Sequence, residues 1–260
     1  MLGKKEVVGL SLSGGTTYGA AHAGVLKVLH EAGVRPAVVT GTSAGAIVGA
    51  AYCAGVPVDT LASLFQTMGW SSLLRVSVRK HLSIFDTQPL EDFIRKFIGD
   101  IEFKDLPIPL AVIATDIRTG ERVVLDKGPV ATAVRASSAI PGLFSPVEID
   151  GRLLVDGGIV DNLPVEQARA MGATYVIASD VSKRGKHVDN PSNPIEVFLT
   201  MIYIMQERAA LIDADQCECY IRPKVTAYSS YSFRDSQKLI EEGVRAAEEV
   251  LPALKRDLKI

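Results

Sequence analysis

Gly41-Thr42-Ser43-Ala44-Gly45 sets one serine between two glycines, with the apolar run Ala37 to Thr40 before it and the small residues Ala46 to Ala54 after it. G-x-S-x-G at a strand-to-helix turn is the pattern of a nucleophile elbow, in which the serine hydroxyl stands exposed at the end of a sheet. The positive end of the following helix stabilises negative charge developing beside it. Such a serine attacks acyl carbonyls, provided that a base takes its proton. Asp156 is a candidate base, because it ends the apolar run Leu153 to Val155 and is followed by Gly157 and Gly158, which are expected to open space around the carboxylate. An Asp-Gly pair is also an ordinary turn former, so the motif alone leaves both roles open. Histidine is the usual partner of a serine nucleophile. Of the four histidines, His22 and His30 share the first helical segment, His81 lies in a basic apolar stretch, and only His187 follows Asp156 in the Ser-acid-His order.

Ser13-Gly14-Gly15-Thr16-Thr17-Tyr18-Gly19 follows the first apolar strand and leads into a helix. Backbone N–H groups that converge in such a loop bind an anion or an oxyanion. A dinucleotide site does not fit, since Thr16 interrupts G-x-G-x-x-G and no acidic residue stands about 20 positions on. A phosphate loop does not fit either, because Gly-Lys-Ser/Thr is missing.

Strands are expected at Val7 to Leu12, Ala37 to Thr40, Leu110 to Ala114, Arg122 to Leu125, Leu153 to Val155 and Tyr175 to Ser179. Helices are expected at Ala20 to Glu31, Leu61 to Met68, Leu90 to Ile98, Val130 to Ala136 and Pro164 to Met171, with a polar loop over Lys183 to Pro194. This alternation predicts an α/β protein with a mainly parallel, helix-covered sheet. The length and the 47% hydrophobic content suit one domain over residues 1–260 with a large core. Ile195 to Met205 is apolar nearly all round and reads as a buried helix. Leu239, Ile240, Val244, Ala247, Leu251, Leu254 and Leu258 recur at helical spacing, so the C-terminal helix should dock one face.

A formal charge of -2 gives no general attraction to nucleic acid or to an anionic membrane. The three cysteines, Cys53, Cys217 and Cys219, form no even disulfide framework and have no metal spacing, which suits a reducing cytoplasm. The N-terminus has no signal-peptide pattern. Pro36 to Val58 is uncharged over 23 residues, but its two prolines and four glycines suit a buried strand and helix better than a membrane span. Neither a metal nor a cofactor is expected.

Taken together, Ser13 to His22, Gly41 to Gly45, Arg135-Ala136-Ser137-Ser138-Ala139-Ile140-Pro141 and Asp156-Gly157-Gly158, in this order and spacing, resemble the patatin-like phospholipase family. The resemblance covers about Val7 to Val181, with a helical remainder from about 195 to 260. It implies a three-layer α/β/α fold and a Ser-Asp dyad that hydrolyses acyl esters of lipids without histidine. On this sequence the nucleophile is Ser43 and the base Asp156, with the N–H groups of Gly14, Gly15 and Thr16 as the oxyanion hole. Gly19, Gly41, Gly45, Gly157 and Gly158 support the motifs.

The first loop departs from the family pattern Gly-Gly-Gly-x-Arg/Lys-Gly. Thr16 replaces a glycine, and Tyr18 stands where the family places a cation. These two changes keep a catalytically weak or inactive lipid-binding member in view beside the hydrolase, with acyl transfer to another acceptor as a third outcome. Gly69 to Ile84 interleaves Trp70, Leu73, Leu74, Val76, Val78 and Ile84 with Arg75, Arg79, Lys80 and His81. That composition suits either a lid making peripheral membrane contact or an ordinary amphipathic surface segment.

Overall fold

A computed structural model describes residues 6–76, 83–185 and 190–260. The first half runs β1 (Val8–Leu12), α1 (Ala20–Glu31), β2 (Val38–Thr42), α2 (Ala44–Cys53), α3 (Val58–Thr67), α4 (Trp70–Leu73), β3 (Arg75–Val76), β4 (Ser83–Asp86) and α5 (Gln88–Ile98). There follow β5 (Leu110–Asp116), β6 (Arg122–Leu125), α6 (Val130–Ser137), β7 (Gly142–Phe144), β8 (Val147–Ile149), β9 (Arg152–Asp156), α7 (Val165–Ala170) and β10 (Tyr175–Ser179). The chain closes with α8 (Pro194–Ala214), β11 (Cys219–Ile221) and α9 (Ser236–Leu258).

The main sheet has the order β11-β10-β1-β2-β5-β9-β8, with β6 also pairing β5. Its pairings are parallel from β11 to β5 and antiparallel from there on. Parallel strands are covered on both faces, which is why β1, β2, β5 and β10 are almost continuously apolar and buried. The two faces separate by strand alternation. On β10, Tyr175 and Ile177 join the larger core under α1, α2 and α9, whereas Val176 and Ala178 join the smaller one with Val165 and Ala168 of α7. A second sheet, β3-β4-β7, lies apart from this path.

The C-terminal helix docks one face, as its spacing predicts, and the contact with α1 depends on two glycines. A Cβ on Gly24 would meet the Ile240 carbonyl oxygen at 2.0 Å, and one on Gly243 would meet that of Ala21 at 2.0 Å. Gly243→Ala must therefore push the helices apart. Alanine's better helix propensity returns about 1 kcal/mol, whereas overpacking costs about 1–3 kcal/mol and more against backbone. A net loss of about 2 kcal/mol or more is expected from urea denaturation; a variant as stable as wild type would contradict this packing.

The expectation of a buried helix at Ile195 to Met205 is corrected. The helix forms, but Ile195, Val197, Met201, Ile204, Met205, Leu211 and Ile212 of α8 are seven of the twelve exposed large apolar side chains among the described residues. Ile202, Tyr203, Gln206, Ala209 and Ala210 face inward. An apolar run reports what a helix can bury, and on α8 the outer side has no protein against it.

Candidate active site

The carboxyl ends of neighbouring strands in an α/β sheet are where loops converge on a ligand. Here Leu12 of β1 is level with Gly41 of β2, and Thr42 of β2 with Ile113 of β5. Asp156 of β9 pairs with Ala114 of β5. This register carries the Ser13 to Gly19 loop, Ser43 and Asp156 to one edge of the sheet.

Ser43 has φ 50° and ψ -117°, a strained left-handed turn for a non-glycine residue. The turn is held from three sides. A Cβ on Gly45 would meet the Leu12 carbonyl oxygen at 2.1 Å, and one on Gly41 would meet the Gly45 carbonyl at 2.7 Å, so only glycine lets the strand and helix approach this closely. The Ser43 N–H donates to Ser137 Oγ at 2.8 Å, and Ser137 Oγ–H donates to the Ile113 carbonyl at 2.6 Å. Gly19 fits against the same elbow, since a Cβ there would lie 2.6 Å from Ala44 Cβ.

Asp156 is fully buried. Its N–H donates to the Ala139 carbonyl and its own carbonyl accepts from Thr115 Oγ1, which fixes the backbone. Oδ1 accepts the Gly158 N–H at 2.8 Å, while Oδ2 has no hydrogen-bond partner among the described residues. Burial pushes the carboxyl up to about 6, against the opposing pull of the Gly158 N–H, Ser43 and Gln206. The two glycines after it open no space, contrary to the sequence reading. A Cβ on Gly157 would strike the Ile113 carbonyl oxygen at 2.3 Å, and one on Gly158 would strike Asn162 Oδ1 at 2.6 Å.

A folded-state pKa of about 6 against an ordinary 3.8 means that the native protein holds this proton more tightly than the unfolded chain. The resulting stability is full below pH 3.8 and is lost as pH rises through about 6. That difference corresponds to about 3 kcal/mol. Asp156→Asn removes this pH dependence, so urea denaturation should find it gaining about 3 kcal/mol on wild type between pH 4 and pH 8. A difference that does not change with pH would contradict the buried carboxylate. His22 acts with the opposite sign, since burial lowers it to about 4 and it is neutral at pH 7.

The first loop departs from expectation at two residues. Gly14 N–H donates to the Asn162 carbonyl at 3.2 Å, so of the three expected donors only Gly15 and Thr16 have N–H groups without a partner among the described residues. Gly14 serves by shape, because a Cβ would meet Asn162 Oδ1 at 2.6 Å and Ser43 Cβ at 3.2 Å. Thr16 takes φ 50°, a conformation that costs a β-branched residue strain. Tyr18 is not a cation's substitute in the site. It is 1% exposed, and its hydroxyl donates to the Tyr228 carbonyl at 2.8 Å.

His22 is fully buried, with Nε2 donating to the Ser13 carbonyl and Nδ1 accepting from Ser179 Oγ, each at 2.9 Å. Neither nitrogen is available to Ser43. His30 sits near the end of α1 beside Arg35. His81 and His187 lie outside the described residues, as do Val78, Arg79 and Lys80 of the expected lid. The described part of that segment contributes to the wall of the site: Trp70, Leu73 and Leu74 join Thr16, Ser43, Phe65, Ile140 and Phe144 around an apolar cavity of about 60 Å³. Trp70 Nε1 donates to the Tyr231 carbonyl at 2.7 Å and its ring lies 5.1 Å from that of Phe233.

Three contributors escaped the sequence reading. Ser137 is inside a motif, but its service to the Ser43 N–H spans 94 residues. Asn162 and Gln206 carry no local signature at all. Among the described residues no group of three His, Cys, Asp or Glu side chains is arranged to hold a metal ion, and no helix is long and apolar enough to cross a membrane. None of the three cysteines is in a disulfide.

The sequence matches the patatin-like phospholipase family over residues 10–169. The chain belongs to this family. An uncharacterized NTE family protein of Mycobacterium tuberculosis is 35% identical over 212 residues, which are 79% of this chain and 58% of that protein. The neuropathy target esterase sws of Drosophila melanogaster is 29% identical over 91% of this chain and 19% of its own length. Lysophospholipase nte1 of Emericella nidulans is 29% identical over 96% of this chain and 18% of its own. The chain thus spans less than two thirds of the first of these relatives and about a fifth of the other two. Among solved structures, VipD from Legionella pneumophila superposes with a TM-score of 0.62 at 14% identity over 96% of this chain and 67% of VipD, a likeness of fold. The patatin-like α/β architecture, with its mainly parallel sheet and flanking helices, is therefore shared beyond recognisable sequence similarity.

Proposed function

We propose that this patatin-like chain is a serine hydrolase that cleaves fatty-acyl esters of lysophospholipids, phospholipids or related lipids through Ser43 and Asp156. The observation that carries the reading is a serine on a strained turn at an apolar cavity, near a fully buried aspartate whose Oδ2 has no hydrogen-bond partner among the described residues. Asp156 accepts the Oγ proton as Oγ attacks the ester carbonyl, and passes it to the departing alcohol. Water then releases the fatty acid from the acyl-serine, with Asp156 as base again.

The N–H groups of Gly15 and Thr16 face no protein acceptor, and the first turn of α2 begins at Ala44 immediately after the nucleophile. Donors so placed stabilise a tetrahedral oxyanion by about 3 kcal/mol each in other enzymes. The apolar walls of Phe65, Trp70, Leu73, Ile140 and Phe144 favour an acyl chain over a polar substituent. The case for an inactive lipid-binding member rested on Thr16 and Tyr18. Tyr18 has a packing role of its own, since it is buried and its hydroxyl donates to the Tyr228 carbonyl, which weakens its weight as a sign of lost chemistry.

Because Asp156 works only when ionised, kcat/KM for a lysophospholipid should rise with pH along an acid limb near pH 6 and level off above it. A pH-rate profile with Ser43→Ala as blank tests this. Activity that is undiminished at pH 4.5 would remove Asp156 as the base.

A further inference from the structure

Gln206 belongs to the inner side of α8, the helix whose outer side is exposed, and is itself 6% exposed. It reaches the turn after β9 at Gly158. One point there, where a Cβ of Gly158 would stand, lies 2.6 Å from Asn162 Oδ1, 2.8 Å from Gln206 Nε2 and 3.0 Å from Asp156 Oδ1. Asn162 Oδ1 and Asp156 Oδ2 are buried without partners. The Gln206 amide nitrogen thus shares one point with two acceptor oxygens, and a primary amide NH2 has two hydrogens to offer such groups. Gly158 is a glycine because this polar group fills the space of its side chain.

We propose that Gln206 is a positioning residue for Asp156: its Nε2 donates to Oδ1 and, with the Gly158 N–H on the same oxygen, leaves Oδ2 turned toward the Ser43 hydroxyl. The inference rests on the Ser43–Asp156 reading above. A base that is a bare carboxylate has no imidazole to orient it, so its rotamer decides whether the proton of Ser43 has an acceptor. Donors on Oδ1 also keep the buried group ionised near neutral pH, and Gln206 pulls in that direction. The groups facing the carboxylate are Ser43 from the β2–α2 turn, the Gly158 N–H, Asn162 before α7, and Gln206 and Tyr203 from α8. Burial holds the Tyr203 phenol above its ordinary value, so it is neutral at pH 7. No cation is among these groups to replace a lost donor.

The test is the pH-rate profile of Gln206→Met, which keeps the length and loses the donor, and of Gln206→Glu, which sets a second carboxylate beside the first. Gln206→Met should move the acid limb up by about one unit and lower plateau kcat about tenfold, with KM little changed. Gln206→Glu should move the limb further by like-charge repulsion. Carbon-13 NMR titration of the Asp156 carboxyl in a Ser43→Ala background, with and without Gln206→Met, reads the same shift without turnover. That measurement decides the role of Gln206 even if the hydrolase reading fails. A merely structural Gln206 would lower the melting temperature and the fraction of active protein while leaving the acid limb in place. Coincident acid limbs, or carboxyl titrations that Gln206→Met leaves unchanged, overturn the proposal.

Discussion

Ser43→Ala is expected to lower turnover of an acyl ester by about 10⁴-fold or more, and Asp156→Asn by a similar factor. The double variant should be little worse than either alone, because nucleophile and base act as one unit. Ser43→Ala removes an oxygen from a turn that the Ser137 hydroxyl and two glycines continue to hold, so the fold should be unchanged by circular dichroism. Asp156→Asn keeps the volume, and its amide oxygen can still accept the Gly158 N–H. The losses therefore report chemistry and not unfolding. Initial rates on a soluble short-chain ester measure both, and residual activity near wild type in either purified variant would remove that residue from the mechanism.

Tyr18→Arg, which the family pattern suggests as a way to restore a cation, is expected instead to destabilise the protein by about 4 kcal/mol or more. The position is 1% exposed and inside the main core, so the guanidinium would lose its hydration among apolar side chains. The tie to the Tyr228 carbonyl would be lost with it, and with that tie one of the bonds joining the first loop to residues 228–230; Thr17 Oγ1 to the Ser229 carbonyl at 3.2 Å is another. Tyr18→Phe isolates this hydrogen bond and should cost about 1 kcal/mol. Urea denaturation separates the two. If Tyr18→Arg were as stable as wild type and more active on anionic lipid, the residue would line the site after all.

The parts of the site legible in the sequence are those set by near neighbours in the chain. Gly41 and Gly45 flank Ser43 because strand and helix meet within five residues, and the apolar runs on each side identify both elements. Asp156 is legible as the end of an apolar strand. What sequence reading misses depends on residues far apart. Gln206 and Asn162 meet over Gly158 only once α8 has packed, and no spacing rule links position 206 to 156. Gly24 and Gly243 look like weak points in two helices, yet each admits a carbonyl of the other helix. For α8, hydrophobicity gave the helix but not which side of it has protein against it. Tyr18 aligned with a cation in the family pattern, and only its burial and its bond to Tyr228 reveal that it faces the core.

A fluorophosphonate bonds rapidly and stably with a serine activated for acyl transfer, and so reads the central claim directly. Wild type, Ser43→Ala and Asp156→Asn are incubated with the probe at pH 7.5, digested, and the adduct is located by mass spectrometry. Stoichiometric modification of Ser43 in wild type is expected, with no adduct in Ser43→Ala and labelling slowed by orders of magnitude in Asp156→Asn. An unlabelled wild-type protein, or an adduct on another residue, would contradict the assignment of Ser43 as the nucleophile.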